Sequence, residues 1–532
     1  MIGTDLTYDH AGFTCTGDTI MDKTTSPPPG DMPPEEFRRA GHLLIDWITD
    51  YLSTGPGEGV PILPGLAPGD TAARLPASAP ATGVEFDRLF ADFREILYPG
   101  FTHWNSPRYM AYFPSSASGP AVLGELLAAA VSQNCMLWRT SPAGTELEIR
   151  VLEWLRDMIG LPASFFGHIV DTASISSMLA LAAAREYHHD LAIRTRGMAG
   201  RPELPQLTVY ASEEAHSSIE KGAITLGFGV DGVRKIATDE IYRMRPDLLR
   251  EAIEADRAAG RHPLAVVATV GTTSSTSIDP VPAIARICDE YGLWLHVDAA
   301  YGGVAAIVPE KRDVLAGCER ADSFVVNPHK WLFTPMDCST FFTRRPEVMR
   351  AAFSLVPEYL SSDRDADPAL VNLMDYGIQL GRRFRSLKLW LVLAWFGSEG
   401  IAERLRHHMA LASELAERIE AQEGVELMAP VNFATLCFRF HPGGAARGSE
   451  DEAVEETAVG DAGEPDEEAY ETFNAAVMNR ANESGEVFLS HTKLKGRYTL
   501  RLAIGHLRSS AEDVRAVWEL LTTLADELRR GQ

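Results

Sequence analysis

Between about residue 120 and residue 345 the sequence alternates short apolar runs with stretches of helical periodicity, and this alternation restricts the fold more than any other feature. Leu207–Tyr210, Leu264–Val270, Leu293–Val297 and Ser323–Val326 read as strands, and stretches such as Asp247–Ala259 and Val281–Tyr291 read as helices. Apolar strands without polar alternation, separated by helices, predict a mostly parallel sheet covered on both faces, and hence an α/β domain. Ligands of such sheets bind outside the carboxyl ends of the strands. Three runs deliver reactive residues there. One ends in Gly271-Thr272-Thr273, the next in Asp298-Ala299-Ala300-Tyr301-Gly302-Gly303, and the last in Asn327-Pro328-His329-Lys330-Trp331.

The flanks differ in character. Residues 1–32 are rich in Gly, Thr, Asp and Pro and predict a flexible arm. A helix is expected from Pro33-Pro34-Glu35-Glu36, where proline and acids suit a helix start. Phe37, Leu44, Trp47, Ile48 and Tyr51 share one face of it, which predicts docking. Residues 53–83 read as a linker. The expected units are an N-terminal helical segment at 33–118, a large domain at 119–387 and a small α+β domain at 388–532. The last begins near a helix at Phe384–Gly397 and holds strands near Ala434–Phe440 and Tyr498–Ala503. Residues 442–467 lack an apolar period and predict a disordered insert.

Charge and cysteine usage exclude several function classes. The net charge is −25, and the stretch Glu450–Glu468 supplies ten acids and no base, leaving −15 on the rest. An acidic surface argues against nucleic acid or an anionic membrane as partner. The most apolar run, Ala121–Val131, contains Glu125 and is too short to span a bilayer. Six scattered cysteines without a CxxC pair indicate neither a metal site nor a disulfide framework. With no basic and apolar leader pattern after Met1, a cytoplasmic location is expected. No GxGxxG opens an early βαβ unit, which disfavours a dinucleotide enzyme.

An Asp and a Lys at the ends of separate core strands are costly unless paired or used. Pyridoxal 5'-phosphate (PLP) uses both, a lysine for the Schiff base with its aldehyde and an acid to keep its ring nitrogen protonated. At this point a family resemblance joins the argument. Its supporting stretches are His103-Trp104-Asn105-Ser106-Pro107, Ala111-Tyr112-Phe113-Pro114, Thr145-Glu146-Leu147-Glu148, Ala215-His216-Ser217-Ser218, Asn327-Pro328-His329-Lys330-Trp331 and Leu380-Gly381-Arg382-Arg383-Phe384-Arg385. From about His103 to Ile504, interrupted by the acidic insert, the chain resembles the aromatic-L-amino-acid decarboxylase branch of the group II PLP-dependent decarboxylases.

The resemblance implies fold type I, the aspartate-aminotransferase-like architecture, and a homodimer with shared active sites, the segment 33–118 serving dimerisation. It implies that Lys330 carries the cofactor and Asp298 pairs with its ring nitrogen. Ala300 is expected below the ring, His216 stacked above it, and Thr273 on the side of its phenolic oxygen. Asn327 and His329 flank the lysine, in reach of the phosphate or the substrate side. Thr172, Ala173 and Ser174, before a helix at Ile175–Tyr187, correspond to the residues that cradle the phosphate. Asp171 stands where animal relatives carry Gly. A carboxylate beside a phosphate is repulsive, so its side chain is expected to turn away or cap the helix.

In Val356-Pro357-Glu358-Tyr359-Leu360, Tyr359 resembles the loop tyrosine that protonates the product. Relatives with Phe there form an aldehyde, so Tyr359 together with His216 implies an amine. Trp104, Tyr112, Phe113, Pro114, Met136 and Gly381 resemble the substrate pocket, in part supplied across the dimer. Met136 replaces a frequent Phe and Asn134 an aliphatic residue, while Gly381 in place of Ser accompanies indole substrates in plants. The expected reaction is decarboxylation of an aromatic L-amino acid to the amine. The alternatives are a branched aliphatic substrate, an acidic-amino-acid decarboxylase, a decarboxylating aldehyde synthase, and a scaffold that kept the fold without catalysis.

Overall fold

The computed structural model describes residues 30–57, 59–355, 370–444 and 466–531. Tyr359 and most of the acidic insert expected at 442–467 lie outside the described residues. The central sheet has seven strands in the order β1-β7-β6-β5-β4-β2-β3. In chain order they are Phe166–Val170 (β1), Leu207–Ser212 (β2), Val233–Ile236 (β3), His262–Thr269 (β4), Trp294–Asp298 (β5), Ser323–Val326 (β6) and Ser339–Thr343 (β7). β6, β5, β4, β2 and β3 pair in parallel, and β7 runs antiparallel to both β6 and β1. Two reversals restore direction, so β1 opens its carboxyl end on the same edge as β4, β5 and β6. That edge therefore collects the ends of β1, β2, β4, β5 and β6.

The expected α/β fold of type I is the one seen. β4 is buried from Pro263 to Thr269 and β5 along its whole length, as apolar strands between two helical layers must be. Val281–Tyr291 is helical as expected, and the helix before β4 spans Pro246–Ala258. The helix expected to end at Gly397 instead runs from Ser386 to Ala421, with a kink where Gly397 takes φ +64. Gly marks helix ends because it tolerates the left-handed conformation. Here the chain uses that freedom to bend, and Ile401, Leu405, Leu411, Leu415 and Ile419 bury the continuation.

A second, antiparallel sheet has the order β10-β11-β9-β8. It is built from Val425–Leu427 (β8), Thr435–Phe440 (β9), Ser490–Leu494 (β10) and Arg497–Ala503 (β11). It packs with the helices Glu467–Glu483 and Ala511–Arg529 into the same apolar core as the large sheet. The N-terminal helix spans Pro34–Thr54. Its later turns dock through Trp47, which stacks on Tyr51 and meets Phe90, Phe93 and Tyr98 edge-on. Nearer its start Ala40 is buried, while Phe37 stays 64% exposed.

Candidate active site

Several strand ends converge on a cavity of about 570 Å³. Its walls include Trp104, Tyr112 and Phe113 from the N-terminal segment, His216 after β2, and Thr273 and Ser274 after β4. His329, Lys330, Pro335 and Met336 come from beyond β6, and Ser490, His491, Thr492 and Arg501 from the small sheet. Close approach of backbones makes the turn after β4 possible. Gly271 sits at φ +90, and a Cβ on Gly302 would stand 2.6 Å from the Val270 carbonyl oxygen, so both positions require glycine.

Lys330 follows β6 in the turn Pro328–Trp331, its backbone N–H bonded to the Asn327 carbonyl at 3.0 Å. Its ammonium lies 5.0 Å from the centre of the Phe113 ring. Burial pulls the Lys330 pKa below the ordinary lysine value; the nearby Asp298 charge opposes that shift and Arg501 adds to it. Asp298 closes β5, is only 6% exposed, and accepts the Ala300 N–H at 3.1 Å. Ala300 packs against Ala173 and Val325, a floor of small side chains between the strand ends and the helix Ala173–Tyr187.

Two histidines have fixed tautomers. His216 accepts the Ser218 N–H on Nδ1 at 3.2 Å, so its Nε2 is left to donate. Burial lowers its pKa, with Asp298 acting against the change. His329 accepts the Cys338 N–H on Nδ1 at 2.9 Å, and burial, reinforced by Lys330 and Lys388, brings it to about 3. Asn327 is buried with its Oδ1 lacking a protein partner.

Thr172, Ala173 and Ser174 lie at the start of a helix. Thr172 stands at the N-cap of Ala173–Tyr187 in extended conformation, its side chain making no capping bond and Ser174 exposed. The first N–H groups of a helix have no partner within it and attract anions. Asp171 turns away, as expected, onto Arg385 at 2.6 Å and Gln379 at 2.8 Å.

Below the cavity four rings stack in sequence. Phe113 and Tyr301 lie 3.9 Å apart, Tyr301 and Trp331 5.0 Å, and Trp331 and His408 6.4 Å, with interplanar angles of 20°, 14° and 16°. The Trp331 indole N–H donates to His408 Nδ1 at 3.0 Å.

Of the pocket residues expected from sequence, Trp104, Tyr112 and Phe113 line the cavity. Pro114 is buried behind it against Gly505. Met136 and Gly381 lie elsewhere, gathered at Asn134, whose Nδ2 is 3.5 Å from the Met136 sulfur. Sequence reasoning missed Arg501. It donates to the carbonyls of Tyr112 and of Ser274, the latter at 3.0 Å, and its guanidinium lies 4.4 Å from the Phe113 ring centre. Its remaining nitrogen, Nη2, is buried without a partner. Tyr112, which Arg501 and Ser490 hold, has φ +49, a left-handed conformation unusual for an aromatic residue.

A lysine with a lowered pKa, a buried carboxylate and an open helix end on one sheet edge fit an aldehyde, a cationic ring nitrogen and a phosphate. Comparisons with known proteins agree. Tryptophan decarboxylase 1 of Oryza sativa subsp. japonica is 36% identical over 508 residues, covering 93% of this chain and 94% of the relative. A phenylacetaldehyde synthase of Arabidopsis thaliana is 37% identical over 505 residues, 93% of this chain and 97% of the relative. The crystal structure of Oryza sativa TDC with PLP and tryptamine superimposes with a TM-score of 0.86 at 35% identity, over 95% of this chain and all of that one. Residues 68–441, which include the lysine, the carboxylate and the helix end, match the pyridoxal-dependent decarboxylase conserved domain, and the chain belongs to this family of PLP enzymes.

Proposed function

We propose that this protein decarboxylates an aromatic L-amino acid to its amine, with PLP carried on Lys330. The observation that carries the reading is Lys330 in the wall of a cavity also walled by Trp104, Tyr112 and Phe113, with the buried Asp298 near enough to act on its charge. Bound PLP supplies an aldehyde and an electron-accepting ring. Lys330, its pKa lowered by burial, offers a neutral amine more readily than a surface lysine does. Asp298 would hold a proton on the ring nitrogen, and Ala300 and His216 would flank the ring. Thr172, Ala173 and Ser174 receive the phosphate, and Thr273, Asn327 and His329 complete the surround. Arg501, a cation in the cavity wall, would attract the substrate carboxylate. The aromatic walls exclude water and bind an aromatic side chain. Tyr359 delivers the proton to the substrate carbon that loses CO₂.

A homodimer completes the site on this reading. Tyr112 and Met336 at the cavity are 54% and 64% exposed, and the helix Gly119–Val131 presents Leu123, Leu126, Leu127 and Val131. Apolar area of this kind marks an interface. Across it Met136 and Gly381 of a second copy would meet the cavity. Among the described residues no helix is long and apolar enough to cross a membrane, and a cytoplasmic location accords with that.

The test is a panel of L-amino acids with purified holoprotein, measuring CO₂, amine, aldehyde and hydrogen peroxide. Tryptophan, tyrosine, phenylalanine or DOPA should give CO₂ and amine in equal amounts. Turnover of branched aliphatic amino acids alone would refute the substrate assignment. Aldehyde with peroxide would instead identify a decarboxylating synthase, the second reading, favoured by the similarity to an aldehyde-forming relative. Tyr359→Phe should shift product from amine toward aldehyde, and unchanged amine production at full rate would remove Tyr359 from the mechanism.

A further inference from the structure

Asp171 lies between β1 and Thr172, so its charge is within one residue of the helix end assigned above to the phosphate. Left free, it would repel a dianion there. Its neutraliser is Arg385, whose Nη2 is 2.6 Å from Asp171 Oδ1. The same guanidinium grips Asp337 through Nε at 3.0 Å and Nη2 at 3.1 Å. Asp337 follows Pro335 and Met336, which line the cavity. Arg385 is the N-cap of the helix Ser386–Ala421, in whose first turn Lys388 donates to the Pro335 carbonyl at 3.0 Å and pairs with Glu125, which also pairs with Arg383. Three cations, Arg383, Arg385 and Lys388, thus face three carboxylates, Glu125, Asp171 and Asp337. The cluster is neutral only while each is present, and Arg385 is the cation that touches the carboxylate nearest the helix end.

We propose that Arg385 is a positioning residue for the cofactor phosphate. It cancels the Asp171 charge beside the helix end that receives the phosphate. This rests on the reading that Thr172–Ser174 receives the phosphate. The arrangement also accounts for the tolerance of an acid at position 171. The carboxylate is held by two partners, Arg385 and Gln379.

The readout is equilibrium binding of PLP and of pyridoxal, which lacks the phosphate, to apoprotein by absorbance titration. Arg385→Gln should weaken PLP by about tenfold or more, since it leaves one uncompensated charge beside a dianion. Pyridoxal binding should change by less than about twofold, because that charge has no dianion to repel. Adding Asp171→Asn to Arg385→Gln should restore PLP affinity to within about threefold of the wild type, as should Arg385→Lys, which keeps the cation. An Arg385→Gln defect that persists with Asp171→Asn, or that affects pyridoxal equally, would overturn the proposal in favour of a purely structural role. If Arg385→Gln does not fold, Asp171→Asn alone still decides. It removes a repulsive charge, so weaker PLP binding would contradict the inference. Equal affinity of the wild type for PLP and pyridoxal would instead remove the phosphate assignment itself.

Discussion

Glu148 and Arg382 form an ion pair at 2.6 Å with their side chains 1% and 5% exposed. The pair does more than neutralise itself. Glu148 Oε1 accepts the Ile169 N–H at 2.8 Å, and Arg382 donates to the Ile169 carbonyl at 2.7 Å and to the Cys135 carbonyl at 3.3 Å. Both backbone groups of Ile169 on β1 are thereby held, two residues before Asp171. Glu148→Leu would strand the guanidinium in the interior, which typically costs about 3–5 kcal/mol. Unfolding entropy near 2.1 cal/mol/K per residue gives ~1.1 kcal/mol/K for a chain of 532 residues melting as one unit. The melting temperature should therefore fall by about 3–5 °C. Replacing both partners, Glu148→Leu with Arg382→Met, should recover most of that loss, because an apolar pair of similar volume leaves no bare charge. Thermal melts of the apoprotein by fluorescence measure all three. If the single variant melts with the wild type, or the double variant melts lower than the single, the buried pair does not hold β1 in the manner described.

Other outcomes follow from the same geometry. Lys330→Ala should eliminate borohydride-dependent covalent capture of PLP while leaving the melting profile of the apoprotein intact; capture at another lysine would contradict the assignment. Arg501→Met should raise the KM for the amino acid by roughly tenfold to a hundredfold, the worth of a charged hydrogen bond. Inhibition by the product amine, which has no carboxylate, should stay nearly constant, and an equal loss for both would deny Arg501 that contact. Five buried histidines, His168, His296, His329, His408 and His506, are lowered by burial to about 3 or 4. Their unfolded forms take up protons first, so stability should be full above about pH 6.5 and fall as pH drops toward 4. Asp279 and Glu214, raised by burial to about 6 and about 7, act in the opposite sense but are fewer. Melting temperatures measured across pH 4–8 would check the slope, and a flat profile would contradict it.

The large sheet was legible where strands are mostly apolar. β4, β5 and β6 were expected within a few residues, because burial on both faces leaves no polar alternation to read. β1 was not, since Phe166-Gly167-His168-Ile169-Val170 contains a glycine and a buried histidine. Gly167 is needed there because a Cβ would come within 2.8 Å of the Phe342 ring, a contact no local pattern announces. β3, Val233-Arg234-Lys235-Ile236, escaped notice as a short, charged edge strand. Arg501 did leave a trace: it is a lone cation between Leu500 and Leu502 in a strand that was itself expected, and a charge in an apolar strand calls for a partner or a task. The cluster around Arg385 joins positions 125, 171, 337 and 385, and only the fold could assemble it.

The four stacked rings beneath the cavity come from widely separated parts of the chain. Phe113 precedes the large domain, Tyr301 follows β5, Trp331 is the neighbour of Lys330, and His408 sits past the Gly397 bend. No subset of the nascent polypeptide ending before His408 can complete the column. Contacts of such long sequence separation form late. The column is therefore completed only after synthesis has passed the bend at Gly397.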